Sequence, residues 1–330
     1  MKAFVLDRPG PVRNWRIADR EIPSPVDVEV RVKVHAVGLN PADYKIAHWG
    51  NPAWQYPFVM GLDVAGTIDA LGPGVEAWQV GDAVYYHGDF TRPGGFAEYA
   101  TIPAHVLAPK PRTLSFAEAA SVPCSGFAAY QGLFHKLTLK PTHTVLIQGG
   151  SGGVGSHAVQ LAAYAGARVI AVSAAANHDY VKSLGASEAI DYQSEDVYAR
   201  VLELTDGRGA DVILNAVSQK TTTEALEMLA FGGHLVCIDS LPDLTKVRPF
   251  AKALSIHEIA LGVAHLSGDR VAQEQLAQIG REVGALIDSG HIRPALTRVI
   301  ALEQVPDALE EIAGLHVRGK IVARLIEEES

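Results

Sequence analysis

The stretch from Val145 to Ser173, VLIQGGSGGVGSHAVQLAAYAGARVIAVS, constrains this chain more than any other part of it. Val145, Leu146 and Ile147 form an apolar run that suits a strand buried on both faces. Glycines follow at 149, 150, 152, 153 and 155. Val154, Ala158, Leu161, Ala162 and Ala165 then recur at helical spacing, and Val169 to Val172 make a second apolar run. Strand, glycine turn, helix and strand, in that order, are what a βαβ mononucleotide unit requires. Gly150, Gly152 and Gly155 satisfy G-x-G-x-x-G, with the flanking strand and helix that the motif needs. A side chain at these positions would block the tight turn, the approach of a pyrophosphate, or the contact of helix with strand. The spacing therefore predicts a dinucleotide held at Gly150, Ser151, Gly152, Gly153, Val154 and Gly155. The helix N-terminus there offers free N–H groups and partial positive charge to the phosphates.

The rest of the composition bounds the setting. A chain of 330 residues holds one large or two moderate domains. Its net charge of −9 argues against a nucleic-acid or anionic-membrane surface. Cys124 and Cys237 are its only cysteines, too few for a disulfide framework or a lobe of four thiolates. The opening MKAFVLDRPGP has no signal-peptide core, and no apolar run is long enough to span a bilayer. A cytoplasmic setting without membrane or nucleic-acid partners is expected.

Taken in order, Met1 to Leu6 reads as a first strand. Val28, Val30, Val32 and Val34 alternate with Glu29, Arg31 and Lys33, a half-buried strand of an antiparallel sheet or barrel. His35 to Lys45 reads as a polar loop broken by Pro41. Strands follow at Gly61–Ile68, Ala83–Tyr86 and from Gly94, with Gly/Pro turns between them, which suggests a small barrel. Helical periodicity occupies 116–135. After the glycine turn, apolar runs recur at 189–192, 211–217, 235–238 and 259–264. Helices between them imply a doubly wound parallel sheet. Residues 269–288 read as an amphipathic helix with Leu276, Ile279, Val283 and Leu286 on one stripe. The tail, 293–325, returns to strand, helix, strand.

Several stretches together carry a family resemblance: VHAVGLNPADYK (34–45), GLDVAGTIDALGPGV (61–75), VGDAVYY (80–86), GGFAEY (94–99), GGSGGVG (149–155) and VRGKIV (317–322). In this order, along nearly the whole chain, they resemble the zinc-independent, quinone oxidoreductase-like branch of the medium-chain dehydrogenase/reductase superfamily. The resemblance implies an α/β fold: a Rossmann doubly wound parallel sheet plus a GroES-like, barrel-type substrate domain. The substrate domain would take residues 1–122 and 267–330, and the dinucleotide domain 123–266. It also implies NADPH as cofactor and a homodimer joined through the nucleotide-domain sheets.

The zinc enzymes of this superfamily carry a Cys where this chain has Asn40, and the His of a Gly-His-Glu triplet where it has Leu62. Leu62 cannot bind a metal, and Asn40 is a poor zinc ligand. The thirteen histidines contain no HxH or HxxxH pair. Asp63, His87 and Cys124 make a rival ligand set, disfavoured because a lone His is more often structural. No metal is expected.

The second strand of the βαβ unit ends Ala171-Val172-Ser173, where NAD-preferring units place an acid for the ribose 2′-OH. Ser173 leaves room for a 2′-phosphate, so NADPH is favoured, with NADH possible. Asn177 stands where relatives often have Lys, and Tyr192 matches a position that reaches the 2′-phosphate. The resemblance further places Val217, Ile238, Asp239, Ser240, Leu261, Gly262, Val263, Arg318 and Lys320 at the cofactor. Without a Lewis acid a simple ketone is a hard hydride acceptor, whereas a quinone or α,β-unsaturated carbonyl delocalises the charge it receives. Asn40 and Tyr44 are the catalytic candidates, Asn40 to hold nicotinamide or substrate oxygen and Tyr44 to donate a proton. The leading expectation is an NADPH-dependent, zinc-independent reductase of quinones or related conjugated carbonyls. An enoyl or 2-alkenal reductase is the alternative enzyme, and an NADPH-binding sensor or structural protein the alternative of another class.

Overall fold

The computed structural model describes residues 1–314 and 317–326. The chain opens with β1 (Lys2–Leu6), β2 (Arg16–Asp19) and the long β3 (Glu29–Gly38). Next come α1 (Pro41–Trp49), β4 (Phe58–Val59), β5 (Asp63–Leu71), β6 (Ala83–His87), β7 (Tyr99–Pro103), β8 (Ala108–Pro109) and α2 (Phe116–Ala120). Residues 123–135 wind as two π turns around a short α3 (Ala128–Tyr130). The middle runs β9 (Thr144–Gln148), α4 (Gly153–Tyr164), β10 (Arg168–Ser173), α5 (His178–Ser183), β11 (Glu188–Asp191), α6 (Val197–Leu204), β12 (Ala210–Asn215), α7 (Gln219–Met228), β13 (Leu229–Cys237) and β14 (Ser255–Glu258). It closes with α8 (Val263–Leu266), α9 (Arg270–Asp288), β15 (Leu296–Ala301), α10 (Val305–Ala313) and β16 (Lys320–Arg324). No helix among the described residues is long and apolar enough to cross a membrane.

Two compact units result. One contains Met1–Phe127, Leu261–Gly290 and the chain from Pro294; the other contains Ala128–Ala260 with His291–Arg293. The second unit is built on a six-stranded parallel sheet in the order β11-β10-β9-β12-β13-β14. Numbered within the sheet this is 3-2-1-4-5-6, the dinucleotide-binding order, and the topological switch falls between β9 and β12. Val145, Leu146 and Ile147 on β9 are fully buried, as a central strand covered on both faces requires.

The first unit holds a seven-stranded sheet, β15-β16-β3-β5-β6-β8 with β7 also on β3, and a three-stranded sheet, β2-β1-β4. Val30, Val32 and Val34 point into its core with Phe4, Ile68, Phe96 and Leu309. Val28 lies just before β3 and is exposed, so the alternation starts one valine later than the sequence suggests.

Two stretches depart from expectation. His35 to Lys45 is not a loop: β3 runs on to Gly38 and α1 starts at Pro41. Pro41 occupies the first helical position, where its missing N–H costs nothing, so it starts a helix rather than breaking the chain. The apolar run 259–264 is not a strand. The strand is β14, four residues earlier, and Ile259 and Leu261 are buried beyond it. β14 is an edge strand with β13 as its one neighbour, so it does not need an apolar run.

Candidate functional site

The glycine turn leaves β9 at the switch point, where the carboxyl ends of parallel strands form ligand sites. Close neighbours crowd two of its glycines. A Cβ on Gly155 would lie 2.1 Å from the Gly149 carbonyl oxygen, and one on Gly150 would lie 3.0 Å from the Ala171 Cβ. Gly152 is different: a Cβ there would meet only the Gly149 oxygen, at 3.4 Å. Gly150 and Gly155 are thus demanded by the fold, while the face of Gly152 lies open. Gly152 is also the N-cap of α4, and no side chain caps that helix. Its first N–H groups remain available to an anion. An open face, an uncapped helix end and tight glycines on either side fit a pyrophosphate.

Around this cradle, Asn177 donates from Nδ2 to Ser151 Oγ at 3.3 Å. Ser173 is buried at the end of β10. Its register partner on β11 is Asp191, so an acid does stand one strand away. That carboxylate is engaged by the Ser194 hydroxyl at 2.7 Å and the Gln193 N–H at 3.1 Å, which hold it below the usual carboxylate range. Tyr192 is 52% exposed beside it in sequence. Val217 is half-exposed, and its Cγ2 lies 3.1 Å from where a Gly149 Cβ would stand. Ile238 follows β13 and donates its N–H to the Asn215 carbonyl; Asp239 and Ser240 come next, with Ser240 Oγ donating to Asp239. Beneath the turn, Asn215 Nδ2 donates to Gln148 Oε1 and to Thr221 Oγ1, and Asn215 Oδ1 accepts from the Val217 N–H at 2.9 Å. This buried amide pair ties the ends of β9 and β12 together. Sequence reasoning missed it, because an Asn at the end of an apolar run carries no spacing signal.

A second constellation lies in the first unit. Lys320, at the start of β16, is 5% exposed. Its Nζ donates to the Leu39 carbonyl at 2.9 Å, to Asn40 Oδ1 at 2.5 Å and to Asp63 Oδ2 at 3.3 Å. Three ammonium protons meet three acceptors. Asp63 is fully buried; its Oδ1 also accepts from His87 Nδ1 at 3.0 Å and from the Cys124 N–H at 2.9 Å. Burial pushes the Asp63 carboxyl up, but Lys320, His87 and Asn40 outweigh it and hold it below its ordinary value.

Strand register explains the convergence. β16 runs against β3 with Val322 opposite Gly38, and Leu39 N–H donates to the Ile321 carbonyl. β3 places Gly38 opposite Asp63, and β5 places Asp63 opposite His87. Val322, Gly38, Asp63 and His87 thus form one row across four neighbouring strands, and Lys320 and Asn40 stand beside it, two residues along from Val322 and Gly38.

Asn40 is the N-cap of α1, yet its side-chain oxygen goes to Lys320 and its Nδ2 donates to the Gly38 carbonyl at 3.3 Å. The cap is made from the other side: Asp43 Oδ2 accepts the Asn40 N–H at 2.8 Å. Asp43 is fully buried, its Oδ1 has no hydrogen-bond partner, and burial pushes it up to about 7. Tyr44, next along α1, is half-buried and packs against the core of this unit.

The remaining sequence candidates are dispersed. Leu261 is buried, and Val263 is exposed at the start of α8. A Cβ on Gly262 would touch the Phe90 ring at 3.1 Å. Arg318 is exposed, and its carbonyl accepts from the Thr297 hydroxyl.

The rival metal ligands do meet. Donor atoms of Asp63, His87 and Cys124 lie within 4.8 Å of one another. Their chemistry is a poor match for zinc, which wants free lone pairs on each ligand. Both Asp63 oxygens are already engaged, His87 Nδ1 is turned onto Asp63, and the Lys320 ammonium stands against the same carboxylate. Burial of the Cys124 thiol pushes it up to about 12. Leu62 adds an apolar, buried side chain.

Comparison with known proteins places this geometry. Residues 26–112 match the alcohol dehydrogenase GroES-like domain family, and residues 153–279 match the family described as zinc-binding dehydrogenase. A quinone oxidoreductase of Rattus norvegicus is 30% identical over 311 residues, covering 92% of this chain and 90% of that protein. A zinc-type alcohol dehydrogenase-like protein of Schizosaccharomyces pombe is 32% identical over 327 residues, covering 90% and 91%. Among solved structures, the quinone oxidoreductase from Coxiella burnetii superposes with a TM-score of 0.86 at 28% identity, covering 99% of each chain.

Proposed function

The chain belongs to the medium-chain dehydrogenase/reductase superfamily, in its quinone oxidoreductase-like branch, and on that premise we propose that it is an NADPH-dependent reductase of quinones or related conjugated carbonyls that works without zinc. It is an oxidoreductase, and its superfamily uses nicotinamide nucleotides. The observation that carries the finer reading is the cradle around Gly152, bounded at the end of β10 by Ser173 instead of an acid. Gly150, Ser151, Gly152, Gly153, Val154 and Gly155 take the pyrophosphate. Ser173, Asn177 and Tyr192 take the 2′-phosphate, and Asp191 does not compete, because Ser194 and Gln193 engage it. Val217, Ile238, Asp239, Ser240, Leu261, Gly262, Val263 and Arg318 complete the cofactor contacts.

When bound, NADPH supplies a hydride. Tyr44 gives the proton to the substrate oxygen or carbon that receives negative charge. Asn40, pinned by Lys320, holds the start of α1, which carries Tyr44. With amide and phenol donors in place of a Lewis acid, the favoured acceptors spread the incoming charge over a conjugated oxygen. β14 ends its sheet with one neighbour and offers an edge for pairing with a second copy, which supports a homodimer.

The test is NADPH oxidation against 1,4-benzoquinone, phenanthrenequinone and a set of 2-enals, with and without chelator, repeated with NADH. Turnover that prefers NADPH and survives chelation is expected. Activity lost on chelation from protein carrying one tightly held zinc per chain would overturn the metal-free reading. Tight NADPH binding without oxidation of any acceptor would overturn the enzymatic one.

A further inference from the structure

The match to a zinc-binding family and the packing around Asp63 disagree, and Lys320 is where they disagree. Among the described residues, Asp63, His87 and Cys124 form the group that could hold a metal ion. Yet a cation is already present there: the Lys320 ammonium, 3.3 Å from Asp63 Oδ2, with its other protons on Leu39 and Asn40. Lys320 is buried with the groups it serves, so it cannot swing out to water without leaving Asp63 and Asn40 short of a partner. A divalent cation drawn to Asp63 would have to share its carboxylate with this ammonium at close range, in a poorly screened interior.

We propose that Lys320 is the resident cation of this nest, that its ammonium balances Asp63 where a divalent metal would otherwise bind, and that its removal converts Asp63, His87 and Cys124 into a Zn²⁺/Co²⁺ site. The inference deepens the metal-free reading and rests on it. The same ammonium acts on Asn40 as a positioning group: it fixes the carboxamide oxygen and so holds the start of α1.

Cobalt tests it, because a Co²⁺–thiolate bond absorbs in the near ultraviolet and reports Cys124 directly. Full-length protein is stripped with chelator, titrated with Co²⁺ and followed by absorbance and metal analysis. The wild type should retain no stoichiometric cobalt. Lys320→Met should bind one Co²⁺ per chain, roughly a hundredfold or more tighter than the wild type, with the thiolate band. Adding Cys124→Ser to Lys320→Met should abolish the band. Lys320→Arg, which keeps the charge, should behave as the wild type. Circular dichroism and a cooperative melt establish that each variant is folded. If Lys320→Met does not fold, Lys320→Gln replaces it, since its amide can still donate to Leu39. A wild type that binds one Co²⁺ with the thiolate band, or a folded neutral variant that binds none, overturns the proposal. If chelation leaves wild-type turnover intact while the neutral variant gains no metal, this inference alone fails. If chelation abolishes wild-type turnover, the metal-free reading fails with it.

Discussion

The glycine cradle and the Lys320 nest solve opposite problems. The cradle is made of backbone, comes from one contiguous stretch, and leaves its polar groups unsatisfied for a ligand. The nest is made of side chains from three strands and the N-cap of α1, with Lys320 and Asn40 separated by 280 positions in the chain, and satisfies nearly every polar atom it contains. The exception is Asp43 Oδ1. Free N–H groups at a helix end cost little while water reaches them, so a binding surface can be left open. A buried charge left open costs several kcal/mol, so a buried nest must close on itself. The contrast is why the cradle is the proposed ligand site and the nest is read as the frame that holds α1.

Four experiments sharpen or break this contrast. The largest effect belongs to the nest. Asp63→Ala strands the Lys320 ammonium and should lower unfolding stability by about 3–5 kcal/mol, read as a lower urea midpoint at pH 7. A loss below about 1 kcal/mol would mean that the nest is not closed as described.

Next comes the pH dependence set by Asp43. Its carboxyl is pushed up to about 7, so the folded state holds a proton that the unfolded chain has released. Its stabilising contribution is full below the ordinary carboxylate range and is lost as pH rises through about 7. Asp63 has the opposite sign: its contribution is present above the ordinary carboxylate range and is lost as pH falls below it. Asp43→Asn should remove the first slope and make the protein more stable than the wild type at pH 8, by about 2–4 kcal/mol. Parallel stability curves for the two proteins from pH 5 to pH 8 would refute this.

The cradle comes third. Gly155→Ala drives a methyl into the Gly149 carbonyl and should cost about 1–3 kcal/mol of stability along with NADPH binding. Gly152→Ala meets nothing tight, so its melting temperature should stay near the wild-type value while NADPH affinity falls. Equal melting losses for the two would break the distinction between glycines the fold needs and the glycine the ligand needs. Smallest is Ser173→Asp, which introduces the missing acid. It should shift kcat/KM towards NADH by on the order of tenfold to a hundredfold, and an unchanged ratio would remove Ser173 from cofactor choice.

How much of this was legible follows from the same contrast. The βαβ unit could be read because its determinants are local: apolar runs, helical spacing and the small residues that a turn requires. The valines of β3 declared a buried face through simple alternation. The missing ligands at Asn40 and Leu62 were visible through resemblance. Asp63, His87 and Cys124 could be named as a set from sequence, but not the reason that they suit a metal badly. Pro41 misled the reading because a proline that breaks a helix interior is a good first residue. Ile259 to Ala264 misled it because an edge strand does not need an apolar run. Lys320 was assigned to the cofactor by its motif, whereas the fold turns its ammonium inward, onto Leu39, Asn40 and Asp63.

By itself, then, the sequence determined the glycine turn, since it is one contiguous stretch whose tightest position, Gly155, has no room for a side chain beside the Gly149 carbonyl. Tertiary structure decided what Lys320 is. Its partners are chosen by strand register across β16, β3, β5 and β6. A slip of one residue along β16 would turn Lys320 to the other face, and a slip along β5 or β6 would turn Asp63 or His87 away. No local pattern in the chain records that register.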